Sequence, residues 1–252
     1  MATPVSLVLG LGREVGEATA RRFHDAGHKV LAAGSDDDRV DEAREALPDD
    51  VSTFHGDLNT KLGLRNAITD ADEAFGRIDN AVIIPRLPGE DVLMDAKEDV
   101  LEKTVSKPLS AAVQGIRLLA DRMREQEPME IGTISRVRQR GTITFVFAHT
   151  AVSGMPGQFS ERLLQGALLS AVKASALELA EDTIRVNAIL AIRPRAETTE
   201  PFLSQRTPLR RAALADEIAD AALYLCSPQA AIVTGTTLTL DGGRSLLSGL
   251  LD

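Results

Sequence analysis

Short apolar runs take turns with stretches of helical spacing along nearly the whole chain, and few folds accept that order. Val5–Leu9, VSLVL, is an apolar run closed by glycines, the pattern of a strand buried in a parallel sheet. From Val15 to Ala26 the period changes: Val15, Ala18, Thr19, Arg22 and Phe23 recur at threes and fours, and Gly27 closes the helix. KVLAAGS predicts a second strand, DDDRVDEAREALPDD a charged helix stopped near Pro48, and VSTFHGD a third strand. Leu62 to Phe75 predicts a helix and Ile78 to Pro85, IDNAVIIP, a fourth strand. Pro88 to Ala96 reads as a loop, Lys97 to Gln126 as a long helical region, and Thr142 to Ala148, TITFVFA, as a fifth strand. SERLLQGALLSAVKASALELAEDTIRVNAI supplies a further helix and, in IRVNAIL, a sixth strand; Asp216 to Cys226 predicts the last helix and TTLTLDGG the last strand.

This order predicts an α/β fold, a doubly wound parallel sheet of about seven strands with helices on both faces. Residues 1–252 are expected to form one domain, since no repeat, low-complexity segment or domain-sized linker interrupts them. Two stretches resist assignment. Arg136 to Gly141, RVRQRG, is expected to be a solvated basic loop. Ile192 to Arg211 is long for a loop and is expected to include a short helix that closes over a cleft or meets a neighbouring subunit.

Composition narrows the function. A net charge of −9 and a pI near 5.1 argue against a nucleic-acid or anionic-membrane surface. An aromatic content of 3% leaves few platforms for stacking bases. No apolar run reaches the roughly 20 residues that cross a bilayer, and the amino-terminal stretch lacks a basic leader region, so a cytoplasmic protein is expected. The single cysteine, Cys226, lies in the apolar run AALYLCS and is expected to be a buried core residue. His24, His28, His55 and His149 lack metal-ligand spacing apart from the His24/His28 pair, which straddles Gly27 at a helix end, so no metal site is expected.

LVLGLGREVGEAT places Gly10, Gly12 and Gly16 between the first strand and the first helix. There a phosphate can meet free backbone N–H groups and the positive end of a helix dipole. HGDL, IRVNAI and DEIADAALYLCSPQAAIVTGTTLTLDGG complete a set of segments through which the chain resembles the short-chain dehydrogenase/reductase superfamily over nearly its whole length. The resemblance implies NAD or NADP as cofactor, with Gly10, Gly12, Arg13 and Gly16 at the phosphates and Asp57 at the adenine. Asp36 to Asp38 offer acid for a ribose diol, and Arg13 a partner for a 2′-phosphate. Glu14 stands where the family's loop has its middle glycine. A carboxylate about 5 Å from a phosphate charge costs roughly 3 kcal/mol at an effective dielectric near 20, so weakened cofactor binding is expected.

The family's enzymes carry a serine after the fifth strand and a YxxxK pair on the next helix. Hydride transfer to a carbonyl develops alkoxide charge and needs a proton donor tuned toward neutrality, which a nearby ammonium provides for tyrosine. Counted back from Asn187 without gaps, Glu161 takes the tyrosine position, Gln165 the lysine position and Ala148 the serine position. The helper asparagine is missing near Ser106 to Pro108, and the family's NNAG turn falls on Ile83-Ile84-Pro85-Arg86. A second register sets LSAVK, Leu169 to Lys173, against YSASK, with leucine in place of tyrosine and eight residues deleted. His149, Thr150 or Glu161 would be the substitutes for the lost acid, with Gln165 on a ribose hydroxyl. A lone Glu or Gln on a helix ordinarily faces solvent, and that is the expectation for both. Tyr224, the one tyrosine, is expected in a core or an interface.

Two functions follow. One is a non-catalytic or very weakly active family member, a pseudoenzyme that works as a homodimer, a homotetramer or a hetero-oligomer with an active relative. The helix from Leu163 to Ala180 and the apolar tail Ser245 to Leu251 would form its contacts. The other is an atypical NAD(P)-dependent oxidoreductase on a small carbonyl or alcohol that uses His149 or Glu161.

Overall fold

The computed structural model describes residues 3–12, 14–86, 88–89, 91–131, 137–152, 156–192 and 205–248. The elements follow the expected alternation. The first half comprises β1 (Val5–Leu9), α1 (Glu14–Asp25), β2 (Lys29–Gly34), α2 (Asp37–Ala46), β3 (Ser52–His55), α3 (Lys61–Phe75) and β4 (Asn80–Ile83). The middle comprises α4 (Glu98–Leu101), a π-helical turn at Glu102–Ser106, α5 (Lys107–Glu125), β5 (Met129–Ile131), β6 (Val137–Gln139) and β7 (Gly141–Ala148). The rest comprises α6 (Phe159–Glu178), β8 (Ile184–Ala191), α7 (Ala215–Cys226) and β9 (Thr237–Leu240).

Seven strands form one parallel sheet in the order β3-β2-β1-β4-β7-β8-β9. Every residue of β1, β4, β7 and β8 is buried, as strands covered on both faces must be. On one face Leu7, Leu9, Ile83 and Phe145 pack with Leu64 of α3, Leu119 of α5 and Leu168 of α6. On the other, Val8, Val82 and Ile189 pack with Phe23 of α1, Val40 of α2 and Ile218 of α7. The chain winds outward from β1 to β3, then returns to start the other half at β4. The strand ends at β1 and β4 therefore part, and in such sheets ligands bind at that switch point.

Three expectations need correction. RVRQRG is not simply a solvated loop: Val137–Gln139 forms β6, an antiparallel partner of β5, and Gln139 is buried where its side chain accepts a hydrogen bond from Arg185 at 2.8 Å. A buried guanidinium demands an acceptor, and burial lowers its pKa from the usual value. The long helical region is interrupted by the π turn just before Pro108, which cannot donate to the ladder. Tyr224 stands on α7 with 44% of its surface exposed, which removes the core half of its expectation and leaves the interface half. Cys226, by contrast, is buried, and burial pushes its thiol pKa up, away from thiolate reactivity. Of the two resistant stretches, residues 193–204 lie outside the described residues, as do residues 249–252 of the tail.

Candidate functional site

A cleft of about 210 Å³ opens at the switch point. Gly10 and Gly12 form one lip, and Ser35, Asp36 and Arg39 a second, at the end of β2 and the start of α2. Leu58 and Asn59 after β3 face Ile83 to Arg86 after β4. Leu64, Ala112 and Leu168 add an apolar part of the lining.

The loop glycines are required by the chain's own packing. Gly10 has φ +140°, and a Cβ there would stand 2.7 Å from Ile84 Cβ and 2.8 Å from its carbonyl oxygen. Gly12 has φ +85°, and a Cβ there would stand 2.8 Å from Arg39 Cβ. The N–H groups of Gly10 and Leu11 both donate to the Ala33 carbonyl at 2.8 Å, which directs them toward β2. Gly16 lets α1 sit on the Gly10 carbonyl. Glu14 is exposed in the first turn of α1, and Arg13 lies outside the described residues. Asp57 is exposed and does not line the cleft; its carboxylate accepts from the backbone N–H of Asn59 at 3.0 Å and from the Asn59 amide at 3.2 Å. Asn59 and Arg39, which the sequence reading passed over, stand in the cleft wall instead. Asn59 was findable as the polar residue two places beyond the HGDL aspartate.

A second polar cluster lies at the end of β7. Glu161 and Gln165 are not helix-surface residues: they are 2% and 0% exposed. Both sit on the inward stripe of α6 with Leu164, Leu168 and Val172, and that spacing is legible in the sequence. Gln165 Oε1 accepts from the Ala148 N–H at 2.8 Å, and its Nε2 donates to Thr150 Oγ1 at 3.0 Å and Glu161 Oε1 at 3.1 Å. Thr150 Oγ1 donates to the same Glu161 oxygen at 2.5 Å. The start of α6 is fixed from outside the helix. Asp91 accepts from the Ser160 N–H at 2.9 Å and from the Ser160 hydroxyl, while its N–H donates to the Gly157 carbonyl at 3.0 Å. Lys173, the lysine of the other register, is exposed on α6.

His149 does not join this cluster. Its Nε2 lies 3.3 Å from Asp241 Oδ2, and both residues are buried. Burial lowers the imidazole pKa, against the opposing pull of Asp241. Burial also raises that of Asp241, but hydrogen bonds from Ser245 and Gly243 outweigh it and leave the carboxyl below its usual range. Among the described residues no group of three or more His, Cys, Asp or Glu side chains is placed to hold a metal, and no helix is long and apolar enough to cross a membrane.

The glycine loop after β1, the switch-point cleft and the α6 cluster invite comparison with known proteins. The chain is 28% identical to a glucose 1-dehydrogenase of Gluconobacter oxydans, over 95% of this chain and 91% of that one. It is 24% identical to a 3-oxoacyl-[acyl-carrier-protein] reductase of Thermotoga maritima, over 95% and 96%. The crystal structure of a 3-ketoacyl-(acyl-carrier-protein) reductase from Brucella melitensis complexed with NADH superposes with a TM-score of 0.84 at 26% identity, covering 96% of this chain and 98% of that one. An NAD+-bound xylitol dehydrogenase, at 20% identity over 95% and 98%, shares the fold with a TM-score of 0.81. A family model described as enoyl-(acyl carrier protein) reductase matches residues 10–245, which takes in the loop, the cleft and α6 together, and the chain belongs to the short-chain dehydrogenase/reductase superfamily.

Proposed function

We propose that this chain is a divergent member of the superfamily that is non-catalytic or very weakly active and works as a subunit of an oligomer. The observation that carries the reading is the mutual hydrogen bonding of Gln165, Glu161 and Thr150. The Glu161 oxygen receives two hydrogen bonds and so acts as an acceptor, whereas an alkoxide needs a donor. Gln165 brings no charge to tune a neighbour. The Ala148 N–H bond to Gln165 favours the ungapped register, in which Ala148, Glu161 and Gln165 stand for the family's serine, tyrosine and lysine. Loss of the general acid alone costs on the order of 10²–10⁴ in rate.

The family cofactor is NAD or NADP, and the Brucella relative was solved with NADH. The residues here suit its adenosine end, where Ser35, Asp36 and Asn59 offer polar groups, better than its nicotinamide end. The turn after β4 brings Ile83, Ile84, Pro85 and Arg86 to the cleft wall where the family's turn has small groups, and in this reading that bulk and Glu14 weaken binding.

Oligomerisation is supported by apolar side chains left outside: Leu163 is 46% and Leu177 82% exposed on α6, and Val113 42% on α5. The partner is a second copy or an active relative.

A second reading, an atypical oxidoreductase, draws on the Thr150 hydroxyl held against a buried carboxylate. His149 serves it less well, because its Nε2 faces Asp241. One experiment separates the two. Purified chain is assayed with NAD(H) and NADP(H) on a panel of small ketones and alcohols. Absence of turnover supports the first reading. Turnover at ordinary enzyme speed that disappears in Glu161→Gln overturns it and establishes the second.

A further inference from the structure

We propose that His28, Ser6, Asn80 and Thr142 form a one-way hydrogen-bond relay across the base of the sheet. The relay holds the neutral His28 ring in its Nδ1–H tautomer and leaves Nε2 as the ring's one proton-accepting atom. Ser6, Asn80 and Thr142 stand near the starts of β1, β4 and β7, at the end of the sheet away from the cleft.

Strand register brings the members together. Ser6 pairs with Asn80 across β1 and β4, and Asn80 pairs with Thr142 across β4 and β7. All three are buried. Ser6 Oγ lies 2.7 Å from His28 Nδ1 and 3.1 Å from one end of the Asn80 amide, whose other end lies 3.0 Å from Thr142 Oγ1. Thr142 hydrogen-bonds the Cys226 thiol, and Thr144 Oγ1 lies 3.6 Å from Cys226 Sγ. Buried polar atoms find hydrogen-bond partners, so each proton along this line has a place to be assigned.

The Asn80 amide sets the direction. With its nitrogen toward Thr142 it donates to Thr142 Oγ1 at 3.0 Å and reaches the Asp79 and Cys226 carbonyl oxygens, each at 3.2 Å. Its oxygen then accepts from Ser6 Oγ at 3.1 Å. Turned the other way, the amide oxygen faces those two carbonyl oxygens, neither of which can donate. The first orientation is therefore the stable one. It commits the single Ser6 hydroxyl proton to Asn80, so the Ser6 oxygen can only accept from His28. The imidazole proton must stand on Nδ1.

The half-buried ring is held by its other neighbours as well. Phe23 of α1 meets it edge to face, with ring centres 5.2 Å apart. Asp79 is the carboxylate whose charge reaches the ring, and it is already bonded to the Arg77 guanidinium and the Val5 N–H. Lys29, the next residue along, holds its ammonium over the Phe75 ring. With Nδ1 occupied, a proton taken up in acid goes to Nε2. Acid therefore charges His28 without reversing the bonds that run from Ser6 to Cys226.

The test is two-bond proton–nitrogen correlation NMR of the whole nitrogen-labelled chain near pH 7.5, which separates protonated from bare ring nitrogens; His28→Gln assigns the signal. His28 is expected to show a protonated Nδ1 and a bare Nε2, in about tenfold excess over the opposite tautomer. Ser6→Ala removes the acceptor without adding bulk and is expected to lower that excess by about tenfold. A predominant Nε2–H form in the unaltered chain overturns the proposal. An Nδ1–H excess that Ser6→Ala leaves unchanged overturns it too. Should Ser6→Ala fail to fold, the tautomer of the unaltered chain decides alone.

Discussion

At the residue scale the decisive fact is that Glu161 and Gln165 are enclosed and tied to each other. Gln165 meets three partners, and its replacement by leucine strands the Ala148 N–H and removes one of the hydrogen bonds to the buried Glu161 carboxylate. An unsatisfied buried group costs about 1–3 kcal/mol, more when it is charged. Gln165→Leu is therefore expected to lower the unfolding free energy from urea denaturation by that order, while a residue that merely served a ribose would leave the ligand-free protein unchanged. Buried His149 and half-buried His28 give a pH signature. Burial holds His149 and His28 below the ordinary 6.5, with Asp241 and Asp79 respectively pulling the other way. The unfolded chain thus takes up protons first as the pH falls. Stability contributed by these rings is full above about pH 6.5 and declines as the pH drops toward their folded pKa values. Urea unfolding near pH 7.5 and near pH 5.5 should show the loss, and His149→Gln should reduce it. Equal midpoints in the unaltered protein would contradict the sign.

At the element scale the loop between β1 and α1 answers to the fold before it answers to any ligand. Gly10→Ala meets Ile84 and a strained φ together, so it is expected to destabilise the ligand-free protein by more than about 1 kcal/mol in thermal or urea unfolding. A glycine kept only for a phosphate would tolerate the change without ligand. The same logic applies to α6, whose first turn depends on Asp91 from the preceding segment. Asp91→Ala removes the acceptor of the Ser160 N–H and should cost about 0.5–2 kcal/mol, the range of a lost helix cap. The strands and helices were readable because apolar period and length carry them. β5 and β6 were not, because Val137–Gln139 becomes a strand only through pairing with Met129–Ile131 and through the buried contact of Gln139 with Arg185.

At the scale of the whole molecule, exposed Leu163 and Leu177 on α6 predict self-association. Sedimentation at micromolar concentration should give a dimer or tetramer, and Leu163→Lys should shift it toward monomer by placing a charge in the contact. A monomer in the unaltered protein would remove self-association and leave only an active relative as partner. The alternation of strand and helix, the glycine loop and the segment from Asp216 to Gly243 were enough by themselves to determine a seven-stranded doubly wound sheet and its family. Hydrophobic period and turn residues are local, and local signals survive in a linear string. The tertiary structure alone decided that Glu161 and Gln165 face inward to Thr150, that His149 turns to Asp241, that Asn59 rather than Asp57 meets the cleft, and that Ile84 lies over Gly10. His149 and Asp241, like Ile84 and Gly10, come from segments far apart in sequence, and Thr150 meets Glu161 and Gln165 only because the chain folds back between β7 and α6. Whether a polar side chain is a solvated surface group or a partner in a buried network depends on what the fold brings opposite it.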